Sequence, residues 1–203
     1  MKMSWNHHYT KPKSQLSYPD ENLVRLLNKN QFTGNRALDL GAGSGRHSIL
    51  LKNFGFQVTA TDSAENSINQ IKTLYPELDA IQTIDSKLPF PDSSFDLVVS
   101  WGVLHYNSID EIHKILAEIK RILTIGGIFF GTIRANTDTH LKLESTNIHL
   151  DDLKGVHARV FSLEEIQELL VNFTETKFGY MERTPIGNLE ERICHWIFQA
   201  KKL

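Results

Sequence analysis

The stretch "RALDLGAGSGRHS", Arg36 to Ser48, constrains the fold more than any other. A short apolar run ends in three glycines alternating with small residues, and Arg46 and His47 then open a helical pattern. That order describes a buried strand turning tightly into a helix. Glycine permits positive φ and lets a ligand lie close against the backbone. By itself the turn suits a nucleotide phosphate, an adenosyl group without phosphate, or no ligand at all. The dinucleotide fingerprint G-x-G-x-x-G would place its third glycine at position 46, which is Arg46 here.

The same alternation continues downstream. "FQVTATD" reads as a second strand, and Ser63 is placed to cap a helix from Ala64 to Leu74 that Tyr75-Pro76 ends. "LDAIQTID" is a third strand. "FDLVVSWGVLHY" is a fourth, its continuous apolar core fitting a strand covered on both faces. Ser108 with Glu111 signals a capping box for a helix from Ile109 to Leu123, broken by Gly126-Gly127 before the strand "GIFFGTIRA". A second box, Ser162 with Glu165, opens a helix from Leu163 to Val171. Two last strands, near Thr174–Met181 and Ile193–Ala200, have no helical pattern between them and should pair as an antiparallel hairpin.

The fold class is therefore α/β. It is a Rossmann-like, doubly wound, seven-stranded sheet, mostly parallel, with an antiparallel C-terminal hairpin and helices on both faces. Ligands of such sheets bind outside the carboxyl ends of the strands, where the glycine turn lies. The 203 residues make a single domain, 1–203. Residues 1–30 read as an irregular polar arm, Met1 to Pro19, followed by an amphipathic helix from Asp20, together lying over the site. The pattern degrades over residues 136–160, a candidate lid or acceptor-binding insert.

Charge and cysteine usage narrow the setting. A net charge of −2 gives no basic field for nucleic acid, so none is expected as a partner. Cys194 is the sole cysteine, which suits a reducing cytoplasm. The N-terminus lacks the apolar run of a signal peptide, and no apolar stretch nears the ~18 residues of a membrane span. The expectation is a cytoplasmic protein with no membrane partner. Nothing in the sequence fixes an oligomeric state.

Three acids accompany the glycine turn. Asp62 ends the second strand about 20 residues on, where a carboxylate can take both hydroxyls of a ribose diol. The competing reading is a plain helix cap. Asp85, followed by Ser86, ends the third strand; an adenine amino group would need such an acceptor, and a turn acid is the alternative. Asp39 either orders the loop amides or accepts from a ligand ammonium.

With these residues in order, the chain resembles the class I S-adenosylmethionine-dependent methyltransferases. The resemblance is carried by "LDLGAGSGRHS", "VTATDSAEN", "IDSKLPFPDSSFDLVVSWGVLHY" and "AEIKRILTIGGIFFGTIR", from Arg36 to Arg134. "LPFPDSSFDLVVS" followed by a hydrophobic-Leu-His step is similar to the small-molecule branch. The family loop often carries Cys or Thr where this chain has Ala42-Gly43-Ser44. The resemblance implies S-adenosylmethionine as cofactor and S-adenosylhomocysteine as product. It places Gly41, Ala42 and Gly43 along the methionine and ribose part with Asp39 close by. Asp62 would take the ribose hydroxyls with Ser63 beside the adenine, Asp85 and Ser86 would meet the adenine, and Trp101 would face the methionine part.

Direct in-line displacement on a sulfonium needs no covalent intermediate, and it needs a base only if the acceptor arrives protonated. His105, after the fourth strand, is the candidate base or acceptor-positioning group. A polar residue bonded to loop backbone is the plainer reading. Tyr9, Tyr18 and Tyr106 are candidate walls of an acceptor site. Arg134, His157 and Arg159 are candidate contacts to a small-molecule acceptor, with surface charge as the alternative. The histidines match no metal-binding spacing, so no metal site is expected. A non-catalytic adenosyl-binding protein and an NAD-linked oxidoreductase are the alternative functions. The acceptor, and whether O, N, S or C is methylated, is not given by the sequence.

Overall fold

β1 (Arg36–Leu40) is an inner strand, four of its five residues being buried. In the computed structural model, which describes residues 2–11, 14–84, 86–143 and 156–203, seven strands form one sheet in the order β3-β2-β1-β4-β5-β7-β6. β2 (Gln57–Asp62), β3 (Asp79–Gln82), β4 (Phe95–Trp101) and β5 (Leu123–Arg134) form a parallel block with β1. β7 (Ile193–Lys201) runs antiparallel to both β5 and the edge strand β6 (Thr174–Arg183). The chain order reverses between β1 and β4, the switch point at which open α/β sheets bind ligands.

Alternation along each strand feeds two cores. Ala37, Leu97, Val99 and Phe130 join Leu23 and Leu27 of α2 (Glu21–Lys29), Leu51 of α3 (Arg46–Asn53) and Ile71 of α4 (Glu65–Leu74) on one face. Leu38, Val98, Phe129 and Ile133 join Ile112, Leu116, Ile119 and Ile122 of α5 (Ile109–Ile122) and Ile166 of α6 (Leu163–Leu169) on the other. Asp20 caps α2 and Ser108 caps α5, each side chain accepting a first-turn amide. Ser162 and Glu165 form a full reciprocal box on α6.

Four local expectations change. The arm is not wholly irregular: α1 (Lys2–His8) is helical, and Trp5, His8 and Tyr9 recur at the i, i+3, i+4 spacing of one helix face. α2 does not cover the site; its two buried leucines place it in the core under the sheet. Ser63 does not cap α4, whose N-cap is Ala64 with no side-chain cap bond; Asp62 accepts the Ala64 amide just ahead of the helix. β5 begins at Leu123, ahead of the glycine pair, and a register irregularity absorbs Gly126 and Gly127. Residues 144–155 of the expected lid lie outside the described residues. Among those described, no helix is long and apolar enough to cross a membrane.

Candidate active site

A cavity of about 480 Å³ opens at the carboxyl ends of β1 to β4. Gly41, Asp62, Ser63, Ser86, Trp101, Tyr9 and Tyr106, all expected from the sequence, line it. Asp85 lies outside the described residues, so its role is not placed.

The glycine turn is less bare than its sequence implies. Gly41, Gly43 and Gly45 all take positive φ, at 77°, 56° and 82°. This bends the turn so that its amides point inward. The Gly41 and Ala42 amides both donate to the Thr61 carbonyl, at 2.7 and 2.8 Å. The Gly43 amide donates to Asp62 Oδ2 at 2.8 Å, and the Gly45 amide to the Ala42 carbonyl at 2.9 Å. A pyrophosphate site needs a nest of uncommitted amides. Here the protein itself consumes these four. Ala42 is buried behind the turn and does not line the cavity.

Asp62 braces two elements. One carboxylate oxygen takes the Gly43 amide and the other takes the Ala64 amide, both at 2.8 Å. Burial raises its pKa, and the backbone bonds pull it back. The Ser67 hydroxyl and the Ser63 amide also favour its charged form. Asp62 is a cavity acid, and it braces the segment ahead of α4 without capping the helix. Asp39 sits behind the turn, fully buried, accepting from Ser48 Oγ at 2.6 Å. Desolvation raises its pKa to about 6.

α1 closes the cavity. Trp5, His8 and Tyr9 face into it, and Trp5 meets Tyr106 edge-on with ring centroids 4.8 Å apart. Asn6 anchors the helix: its side-chain oxygen accepts from the Asn66 amide, and its carbonyl accepts from the Asn66 side chain. The Tyr9 hydroxyl lies where a Cβ on Gly43 would stand, so this glycine also makes room for the arm. Burial raises the Tyr9 pKa above its ordinary value, leaving a neutral phenol.

Several expected residues lie elsewhere. His105 is 1% exposed and does not line the cavity. The 3-10 turn Leu104–Tyr106 turns about 120° per residue, so Tyr106 takes the cavity side and His105 the core. Burial, with Arg134 and His195 beside it, holds the His105 pKa well below its usual value. Its position does not suit a general base. Tyr18 is 86% exposed and walls nothing. Arg134 is buried against Asp138, and Arg159 pairs with Glu165 at 2.6 Å over the Phe161 ring. Neither they nor His157 line the cavity.

Other residues were missed. His47 links three elements: its Nε2 accepts from the Asp20 amide at 3.3 Å, and its ring meets Trp101 edge-on at 5.8 Å. Burial lowers its pKa to about 3, which keeps Nε2 an acceptor. Arg121 ties down the loop that carries Ser86 and Leu88. Its guanidinium donates to the Leu88 and Phe90 carbonyls, Asp92 and Glu118, while Glu118 accepts the Leu88 amide. Only the Trp5-His8-Tyr9 spacing was legible as a signal; the partners of His47 and Arg121 are remote in sequence.

Residues 38–131 match the family model of a methyltransferase domain. Over that stretch the chain is similar to methyltransferase domains, and its fold is that of solved SAM-dependent methyltransferases. It is similar to a SAM-dependent methyltransferase from Methanosarcina mazei, at a TM-score of 0.73 and 24% identity over 88% of this chain and 97% of that one. It also shares its fold with the Burkholderia thailandensis 1,6-didemethyltoxoflavin-N1-methyltransferase, whose structure holds that substrate and S-adenosylhomocysteine. There the TM-score is 0.64, with 21% identity over 89% of this chain and 75% of that one. An uncharacterized methyltransferase of Synechocystis is 30% identical over 96 residues, 47% of this chain and 45% of that protein. The chain spans 39–63% of the length of the first curated relatives that it matches.

Proposed function

We propose that the protein binds S-adenosylmethionine in the cavity at the ends of β1 to β4 and transfers its methyl group to a small-molecule acceptor. One observation carries the reading: the amides of Gly41, Ala42, Gly43 and Gly45 are consumed internally while Asp62 reaches the cavity. A turn arranged in this way fits a ribose and a sulfonium better than a pyrophosphate, which weighs against a nicotinamide dinucleotide.

The residues present fit the cofactor. Asp62 would meet the ribose hydroxyls, and Ser63, Ile84, Ser86 and Leu88 would hold the adenine. Trp101 and Gly41 would hold the methionine part, with the buried Asp39 carboxylate behind the turn. When bound, the cofactor supplies an activated methyl group on a positively charged sulfur. The protein's own share is positioning and exclusion of water. α1 supplies the exclusion, laying Trp5 and Tyr9 over the cavity, and the bracing of the turn by Asp62 holds the floor rigid. The volume lies in the lower half of the ~300–1,000 Å³ range of small-molecule sites.

Calorimetric titration with S-adenosylmethionine, S-adenosylhomocysteine and NAD tests the reading. Binding of both sulfur compounds and not of NAD is the expected result. NAD binding without either sulfur compound would reject it.

A further inference from the structure

The aromatic walls of the cavity and its charge balance bear on the acceptor. We propose that the acceptor is an amine, recognised as a cation by the rings of Trp5, Tyr9, Trp101 and Tyr106. This inference rests on the methyltransferase reading and deepens it.

The four rings come from two elements that are far apart in sequence. α1 and the residue after it supply Trp5 and Tyr9, while the end of β4 and the turn after it supply Trp101 and Tyr106. Only the docking of α1 brings the pairs together, and the edge-on contact of Trp5 with Tyr106 at 4.8 Å fixes the two rings nearly perpendicular, at 70°. Rings set at steep angles around a space present faces to it from more than one side. Such faces attract ammonium groups, and more strongly when water is excluded.

Asp62, Glu111 and His8 line the cavity, Glu111 paired with Lys114 at 3.3 Å, and no Lys or Arg lines it among the described residues. Arg46, whose charge reaches Tyr9, donates from its guanidinium to the Tyr18 carbonyl at 3.0 Å. Asn107, also in the lining, donates its side-chain amide to the Val103 and Leu104 carbonyls, at 3.0 and 3.3 Å. With those hydrogens committed, what it has left for a ligand is an oxygen acceptor. A carboxylate or phosphate acceptor would be desolvated here with no Lys or Arg of the lining to meet it, which is costly. An amine brings N–H donors and positive charge, and both are matched.

The chemistry balances. The ammonium form first loses a proton to water at the cavity mouth. The amine lone pair then forms the N–C bond as the C–S bond breaks with its electron pair moving to sulfur. Positive charge passes from sulfur to nitrogen, so the rings face a cation before and after.

The test uses the full chain saturated with S-adenosylhomocysteine and titrated calorimetrically with benzylamine, benzyl alcohol and benzoate. Benzylamine should bind about 10-fold or more tightly than the alcohol, with benzoate weakest. Trp5→Leu should erase that preference and Trp5→Phe should retain most of it, which separates loss of the ring from loss of the fold. Benzoate or benzyl alcohol binding as tightly as the amine, or no amine binding to the loaded protein, overturns the proposal alone. Failure of S-adenosylhomocysteine to bind in the first step overturns the methyltransferase reading and this inference with it.

Discussion

The Gly43 amide and the Ala64 amide each donate to a different oxygen of Asp62, both at 2.8 Å, so one carboxylate ties the glycine turn to the start of α4. Removing it should therefore damage fold and ligand together. Asp62→Ala should cost on the order of 1–3 kcal/mol of stability by leaving buried amides without partners. It should also weaken S-adenosylhomocysteine binding by about 10-fold or more through loss of charge-assisted bonds. Denaturant unfolding and calorimetry measure the two separately; an unchanged dissociation constant would reject the ribose role.

Asp39 has the opposite relation to stability. Its folded pKa of about 6 lies above the ordinary 3.8, so the folded state holds its proton more tightly than the unfolded chain. The stability it contributes is full below the ordinary value and lost as pH rises through about 6. Asp39→Asn, which keeps an oxygen for Ser48, should stabilise the protein at pH 8 by roughly 2–3 kcal/mol and give little at pH 4. Weaker cofactor binding should accompany the gain if the charge serves the ligand. Thermal unfolding across pH checks this, and an equal effect at pH 4 and pH 8 would show that burial is not the cause.

Three histidines make acidification destabilising. Burial depresses His105 well below its usual pKa and brings His47 and His195 to about 3. Their neutral forms are stable in the fold above about pH 6.5, and stability is lost as pH falls below that value. His105→Leu should flatten this limb by up to ~1.4 kcal/mol per pH unit. It should leave the pH dependence of methyl transfer unchanged, since His105 does not reach the cavity. A lost alkaline rise in activity would restore His105 as a base.

Arg121 should matter at a distance. It holds the Leu88–Asp92 loop through three partners and is itself held by Glu118 of α5, and Leu88 lines the cavity. Arg121→Met should lower the thermal midpoint and weaken S-adenosylhomocysteine several-fold, leaving NAD unbound as before. Wild-type affinity in a destabilised variant would show that the loop keeps its shape without the arginine.

The sequence alone determined the sheet. Buried strands such as "ALDL" and "LVVS" must be covered on both faces, and the capping signals at Asp20, Ser108 and Ser162 mark where the covering helices start. Periodicity and capping are local, so they can be read without a partner in view. Asp62 was legible for a related reason, since a strand-ending acid has a fixed place relative to the turn. Only the tertiary structure decided what the turn's amides do, because Thr61 and Asp62 meet Gly41 and Gly43 across a strand pair. It also decided that Tyr106 rather than His105 faces the cavity, a difference of one position on a 3-10 turn. The wall made by Trp5 and Tyr106 was hidden most deeply. It exists only where α1 docks, and contacts between residues 101 positions apart leave no periodic trace in either segment.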